Sequence, residues 1–467
     1  MIRRSHHNTL SDLTNRINNE MPRQEGEAEQ TMKTQHEDNK KLTQEEIDKI
    51  RASNTVRGIT GLDNIGNTCY MNAVIQCLSA TKYLAAYIKK KNFKHDLKHN
   101  AMHDIARKKR EDLNLNRDQI VNITKSDLAN KFKYTITYQL YELLTKMWEE
   151  KDLVVRPHAF KYIIGNIDPK NSIFKGSSQN DSQELLSFIL DRIHEETKRE
   201  VDIDYSKIPK SVHSMLTMMD QADEIIKNEK ISLEIKQKFK NDLKDCQNKF
   251  YVDYVIAKSI LYWKDYVLKS HSIITDIFTG IFYSNIQCNT CKYQSPTFEP
   301  FSLLQIEIPK DGQTTLEECL EKFSTTELLT GNEKYRCDSC KQVSDASKKI
   351  CIWNPPEILS IQLKRFDNSG FRVTKNHSKI TFPLKNLELN QNYSEYHKCN
   401  YKYDLYAVVA HQGIYGNGHY LAYCKNAMNG KWYKYNDDDV FHIPDSNLEE
   451  EVITQNSYLL FYEKQRD

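Results

Sequence analysis

The sequence lacks several features, and each lack excludes a class of protein. No stretch reaches the roughly 18 consecutive apolar residues of a membrane-spanning helix, so no membrane partner is expected. The first residues, Met1-Ile-Arg-Arg-Ser-His-His7, carry no apolar core of a secretory signal. Charge of one sign is not in excess. The 66 basic and 64 acidic residues leave a formal net charge of +2, so composition does not ask for nucleic acid as a partner. No aromatic residue precedes Tyr70. Residues 1–57 are rich in Gln, Asn and charges of both signs, with too little apolar surface to offset their ordering entropy. A disordered N-terminal extension is expected there, with a short helix near 45–50. No internal repeat is evident.

What is present is a chain of 467 residues, enough for one large core or two to three smaller ones. Its 11 cysteines are an odd number. Four of them stand as two Cys-x-x-Cys pairs, which fits metal thiolates in a reducing compartment better than disulfides. An intracellular protein of cytoplasm or nucleus is expected. The early apolar periodicity is helical. Ile136, Leu140, Leu143, Leu144 and Met147 mark an amphipathic helix over 135–149. Pro157 opens another, with Ile163 and Ile164 buried. Asn180 or Asp181 caps a third, with Leu185, Phe188, Ile189 and Ile193 as its buried stripe. The basic stretch 89–110 has acidic residues interspersed and reads as a solvated face. Residues 200–262 read as an insertion, Met215, Leu216, Met218 and Met219 preceding a charged helical run over 222–250. From Ser272 the period shortens to two. Strands are expected at 273–283, 301–308, 349–353, 357–366, 403–410, 419–424, 431–435 and 457–462. Helices first and strands later predict an α+β fold.

Three segments carry chemistry. In residues 61–78, glycines and asparagines suit a tight turn, and Met71, Val74, Ile75 and Leu78 suit a buried helix. Cys69 sits at the junction, where unpaired N–H groups and the helix dipole favour a thiolate. The position fits a nucleophile; it also fits a small core residue, the commoner role of a free cysteine. The second segment, 410–423, has a loop with Gly413, Gly416 and Gly418, and then His419 opens a strand. Asn436 or one of the following aspartates could accept a hydrogen bond from its ring and fix the tautomer. Cys69, His419 and such an acceptor compose a thiol hydrolase set. By chemistry alone His411 competes as the base, and His419 could instead cap its strand or pack on Tyr420. The third segment is the pair Cys288-Asn-Thr-Cys291 and Cys337-Asp-Ser-Cys340. Four thiolates suit a closed tetrahedral zinc site with a structural role. Unrelated pairs or a redox role are the alternatives.

In chain order these segments resemble the ubiquitin-specific proteases, the papain-like cysteine deubiquitinases. Residues 61–78 are similar to that family's cysteine box. Residues 178–193 are similar to its Gln-Gln-Asp-x-x-Glu-Phe box, with Asn180 and Leu185 replacing the second Gln and the Phe. Asp276-Ile-Phe-Thr-Gly280, the paired Cys-x-x-Cys, Leu363-Lys-Arg-Phe366, Phe382-Pro383, Gly418-His-Tyr420 and Tyr458-Leu-Leu-Phe-Tyr462 match as well. The resemblance spans roughly 58–465. It implies an α+β, papain-like catalytic domain with a helical thumb (about 58–195) and a helical insertion (about 200–262). A β-rich palm and fingers would follow (about 272–465), with a four-cysteine zinc site in the finger region (about 283–350). It also implies Cys69 as nucleophile, His419 as general base and acid, and Asn64 in the oxyanion hole. Asn436, where the family more often has Asp, would orient His419, with Asp437 as a second polar assistant. The implied cofactor is structural zinc. The implied partners are ubiquitin and ubiquitinated proteins, with a regulatory protein partner compatible. The implied reaction is hydrolysis of the isopeptide bond after ubiquitin's terminal glycine. An inactive ubiquitin-binding scaffold and a protease for a ubiquitin-like modifier are the competing expectations.

Overall fold

The computed structural model describes residues 2–3, 57–116, 119–149, 153–168, 173–204, 208–268, 270–310, 312–367, 373–389 and 401–466. Ile2–Arg3 pairs antiparallel with Asp202–Ile203. Residues 4–56 of the expected N-terminal extension, including the helix near 45–50, lie outside the described residues.

The first part of the chain is helical. Helix α1 (Cys69–Ala80) is buried from Cys69 to Ser79, as befits a central helix with no solvated face. Helix α2 (Ile136–Glu149) buries all five residues of its predicted stripe. Helix α3 (Ser182–Thr197) is capped by Asp181, whose carboxylate accepts from the Gln183 N–H at 2.7 Å. Its Leu185, Ile189 and Ile193 are buried, and Phe188 packs partly buried against the same core.

Three longer helices follow: α4 (Lys210–Lys227), α5 (Leu233–Lys249) and α6 (Tyr251–Val267). Val212, Met215 and Leu216 of α4 and Tyr254, Val255 and Ala257 of α6 share a core with Ile281, Tyr283, Phe298, Cys351 and Trp353. Helix α5 buries none of its residues, and Leu233 and Ile235 face solvent.

The expected strand at 273–283 is half helix. The Ser272 hydroxyl accepts from the Ile274 and Thr275 N–H groups and Thr275 reciprocates, a capping box that starts a helical turn, Ile273–Ile277. This local cap outweighs the β-propensity of the isoleucines, and strand β1 begins only at Gly280 (Gly280–Cys288). The expected strand at 301–308 likewise divides. Strand β2 (Gln294–Phe301) ends in one sheet and β3 (Leu304–Ile306) begins in another. The remaining strands of these two sheets are β4 (Glu327–Leu329), β5 (Ala346–Asn354), β6 (Ile358–Leu363), β7 (Lys402–Ile414), β8 (Asn417–Lys425), β9 (Trp432–Asn436), β10 (Asp439–Ile443) and β11 (Ser457–Lys464). The smaller, antiparallel sheet has the order β2-β1-β5-β4. The larger has the order β10-β9-β8-β7-β11-β6-β3, with Leu387–Glu388 added on β7, and only its β6–β3 pair is parallel.

Alternation along β8 joins the helical and sheet halves. Tyr420, Ala422 and Cys424 enter the core that holds α1, whereas Leu421 and Tyr423 enter the core on the opposite face. Helix α1 therefore rests on the large sheet, with Cys77 Sγ 3.9 Å from Cys424 Sγ. No helix among the described residues is long and apolar enough to cross a membrane.

Candidate active site and four-cysteine cluster

Cys69 is the first residue of α1 and only 3 % exposed. The loop before it turns through Gly66 (φ +114°) and Asn67 (φ +51°), the left-handed region that Gly and Asn tolerate best. Asn64 holds this loop together. Its Oδ1 accepts from the N–H groups of Gly66 at 3.2 Å and Thr68 at 3.0 Å, which leaves its NH2 for other partners.

His419 comes from β8. One ring nitrogen, Nε2, lies 2.6 Å from Asn436 Oδ1 at the end of β9. An amide oxygen only accepts, so Nε2 carries the hydrogen and Nδ1 is left for the sulfur. The hydrogen bond between His419 and Cys69 is the strongest influence on the ring and helps raise its pKa to about 9. Burial opposes the rise; the Asn436 bond and the charge of Asp437 reinforce it.

Asp437 lies in the left-handed region (φ +53°) in the two-residue turn between β9 and β10. One carboxylate oxygen accepts from Asn64 Nδ2 at 2.9 Å and the other from Asn72 Nδ2 at 2.8 Å. Its backbone C=O accepts from the Leu62 N–H at 2.8 Å. The approach is close: a Cβ on Gly61 would lie 2.2 Å from the Asp438 backbone oxygen. The turn after Asn436 is thus fastened to both flanks of the Cys69 loop.

Five predicted residues therefore converge: Cys69, His419, Asn436, Asn64 and Asp437. His411 does not join them. It is 2 % exposed, and its ring lies against Tyr420 (centroids 4.5 Å apart) and edge-on to Phe366 (5.2 Å). Burial, with help from Lys375, pushes its pKa down to about 4, so the ring stays neutral.

Two further residues at the site, Asn72 and Gln76, escaped the sequence reading. Asn72, buried on α1, ties Asp437 to the helix. Gln76, one turn on, is also buried and donates to the Thr60 C=O at 2.8 Å. Two amides four residues apart on an apolar helix were the available signal. Gln179 pairs with Gly418, and its Nε2 lies 3.8 Å from Cys69 Sγ. Asp181, besides capping α3, accepts from Tyr458 Oη at 2.8 Å and so links that helix to β11.

The second constellation lies at the far end of the small sheet. The sulfurs of Cys288, Cys291, Cys337 and Cys340 all fall within 4.8 Å of one another. Backbone N–H groups of Cys291 and Thr290 and the Ser344 hydroxyl help hold the Cys288 thiol down at about 6. The donor set and spacing are compatible with a tetrahedral metal site that leaves no open position, hence a structural one.

The family model described as ubiquitin carboxyl-terminal hydrolase matches residues 60–462. Ubiquitin carboxyl-terminal hydrolase 2 of Bos taurus is 30 % identical over 415 residues, covering 88 % of this chain and 56 % of that protein. The chain thus spans a little over half the length of this relative. A probable ubiquitin carboxyl-terminal hydrolase of Acanthamoeba polyphaga mimivirus is 29 % identical, covering 88 % of this chain and 91 % of its own. Among solved structures, the SAGA Ubp8/Sgf11/Sus1/Sgf73 DUB module bound to ubiquitin aldehyde aligns with a TM-score of 0.54 at 22 % identity. That alignment covers 90 % of this chain and 74 % of the other. The fold is accordingly the α+β, papain-like arrangement of thumb, palm and fingers, with the four-cysteine cluster in the fingers.

Proposed function

Because the chain belongs to the ubiquitin carboxyl-terminal hydrolase family, we propose that it is a thiol-dependent deubiquitinase cutting the isopeptide bond after ubiquitin's terminal glycine. The observation that carries this reading is the convergence of Cys69, His419 and Asn436 at a thumb–palm junction, with His419 Nε2 held 2.6 Å from Asn436 Oδ1 and the sulfur the strongest influence on the ring. The relatives' names and the ubiquitin-bound neighbours support the substrate.

In this reading the Cys69 thiolate attacks the carbonyl carbon of the terminal glycine. Negative charge moves to the carbonyl oxygen. Donors for it are the N–H groups at the start of α1 and Asn64 Nδ2, which has a second hydrogen beyond the one given to Asp437. Asp437 is then a positioning residue: it aims the Asn64 amide and, through Asn72, the helix that carries the sulfur. His419, protonated at neutral pH, gives its proton to the departing lysine amine. It then takes a proton from the water that hydrolyses the thioester. Asn436 keeps the ring in the required tautomer but brings no full charge, so the imidazolium draws its electrostatic support from Asp437 and the thiolate.

Cys288, Cys291, Cys337 and Cys340 would hold zinc, which would supply a cross-link between the finger strands and no chemistry at the reaction centre. Elemental analysis should find about one zinc per chain.

A ubiquitin probe with a C-terminal electrophile tests the activity. It should modify wild type at Cys69 and leave Cys69→Ala untouched. An unmodified wild type would refute the enzyme reading and leave the binding scaffold. Preferential labelling by a ubiquitin-like probe would reassign the substrate.

A further inference from the structure

Strand β8 is paired with β7 along its length down to Asn417, but β9 pairs only with Ala422 to Lys425. On the β9 side, the residues of β8 before Ala422 therefore form a sheet edge that no strand among the described residues covers. Gly418 lies in this stretch, next to His419. Its backbone is nevertheless satisfied: its N–H donates to Gln179 Oε1 at 3.2 Å, and its C=O accepts from Gln179 Nε2. A single carboxamide thus meets both backbone groups of one residue, as an adjoining strand would. Because that Nε2 is also 3.8 Å from Cys69 Sγ, the plug stands at the nucleophile. Gly418 cannot carry a side chain here, since a Cβ would lie 2.3 Å from His411 Nε2 and 2.5 Å from the Gln412 backbone oxygen.

We propose that Gln179 is a latch on the β8 edge, occupying the place that the diglycine end of the substrate tail must take. The tail enters by exchanging its own peptide N–H and C=O for those of Gln179. An extended peptide adds to an uncovered strand in this way, and its main-chain bonds supply the affinity. The exchange keeps the edge hydrogen-bonded in both states, so the latch excludes water and unrelated chains at small cost to the cognate tail. The latch rests on the deubiquitinase reading above.

The test is a steady-state comparison of the full chain and its Gln179→Ala variant on a ubiquitin C-terminal fluorogenic substrate. Removing the latch should lower KM about fivefold, the scale of one net hydrogen bond, while kcat changes less than about twofold. The Gly418 amide should also exchange its hydrogen faster in the unliganded Gln179→Ala protein than in wild type. That measurement needs no turnover, and a circular-dichroism melt confirms that the variant folds. An unchanged or raised KM, a kcat-dominated loss, or unchanged Gly418 exchange overturns the latch. A wild type unreactive towards the ubiquitin probe overturns instead the reading beneath it.

Discussion

The four-cysteine cluster and the proposed catalytic centre are both built around cysteine sulfur, yet by opposite routes. Each half of the cluster is a knuckle that closes on itself. The Cys288 N–H bonds the Tyr293 C=O and the Lys292 N–H bonds the Cys288 C=O, with Lys292 at φ +61°. In the other knuckle the Cys337 N–H bonds the Gln342 C=O and the Lys341 N–H bonds the Cys337 C=O, with Lys341 also at φ +61°. The proposed catalytic centre has no such self-sufficiency. The bonds that place Asp437 against Asn64 and Asn72 close sequence separations of 373 and 365 residues. One site is two locally closed turns brought side by side at the end of the small sheet; the other exists only while thumb and palm are docked.

The largest effect expected on the docked site comes from His419→Ala. It should lower kcat/KM on a ubiquitin fluorogenic substrate by about a thousandfold or more. Metal content should stay that of wild type, and a parallel loss of metal would mean that the two sites are not independent.

Next is Asp437→Ala, which releases both Asn64 and Asn72. A loss of about a hundredfold in kcat is expected, on the scale of an oxyanion donor left unaimed. Asn436→Ala, which loses one contact to the ring, should cost less. A reversed order in single-turnover assays would make Asn436 the principal support.

Chelation should do the converse. Stripping the metal should weaken ubiquitin binding to the Cys69→Ala protein by about tenfold or more, because the finger ends lose their cross-link. Alkylation of Cys69 by a small electrophile in the wild-type protein should keep its rate. If both fall together, the sites communicate.

The smallest effect concerns pH. His419 has its pKa raised to about 9, so it is protonated below that pH and loses the proton above it. On the proposed mechanism the proton donor for the leaving amine is then lost on the alkaline side, and kcat/KM should decline through about pH 9. Because the Asn436 bond raises this pKa, Asn436→Ala should move the alkaline limb to lower pH, by about one unit or less. An unmoved limb would assign it to another group.

The legibility of the two sites follows the same division. Each Cys-x-x-Cys pair could be read directly, because its two cysteines sit within a single turn of chain. Cys69 and His419 were legible as chemistry at element boundaries, but each kept a structural alternative until the family motifs were considered. Asn72 was not assigned a role, since an amide on a helix has many uses and its partner Asp437 is 365 residues away. The misread elements have equally local causes. Ser272 and Thr275 cap a helical turn inside a run of isoleucines, and residues 302–303 carry the chain from one sheet to the other inside what resembled one strand.

By itself the sequence determined the order of helical and β-rich parts, the cysteine ligand set and the residue types available for thiol chemistry, because periodicity and spacing are properties of neighbours along the chain. Tertiary structure alone decided that His411 is enclosed and neutral while His419 meets the sulfur. It also decided that Asp437 grips the Cys69 loop and that Gln179 covers the bare end of β8. Those outcomes depend on how α1 beds on the large sheet, where side chains distant in sequence come within hydrogen-bonding distance and burial selects which of them keeps a charge.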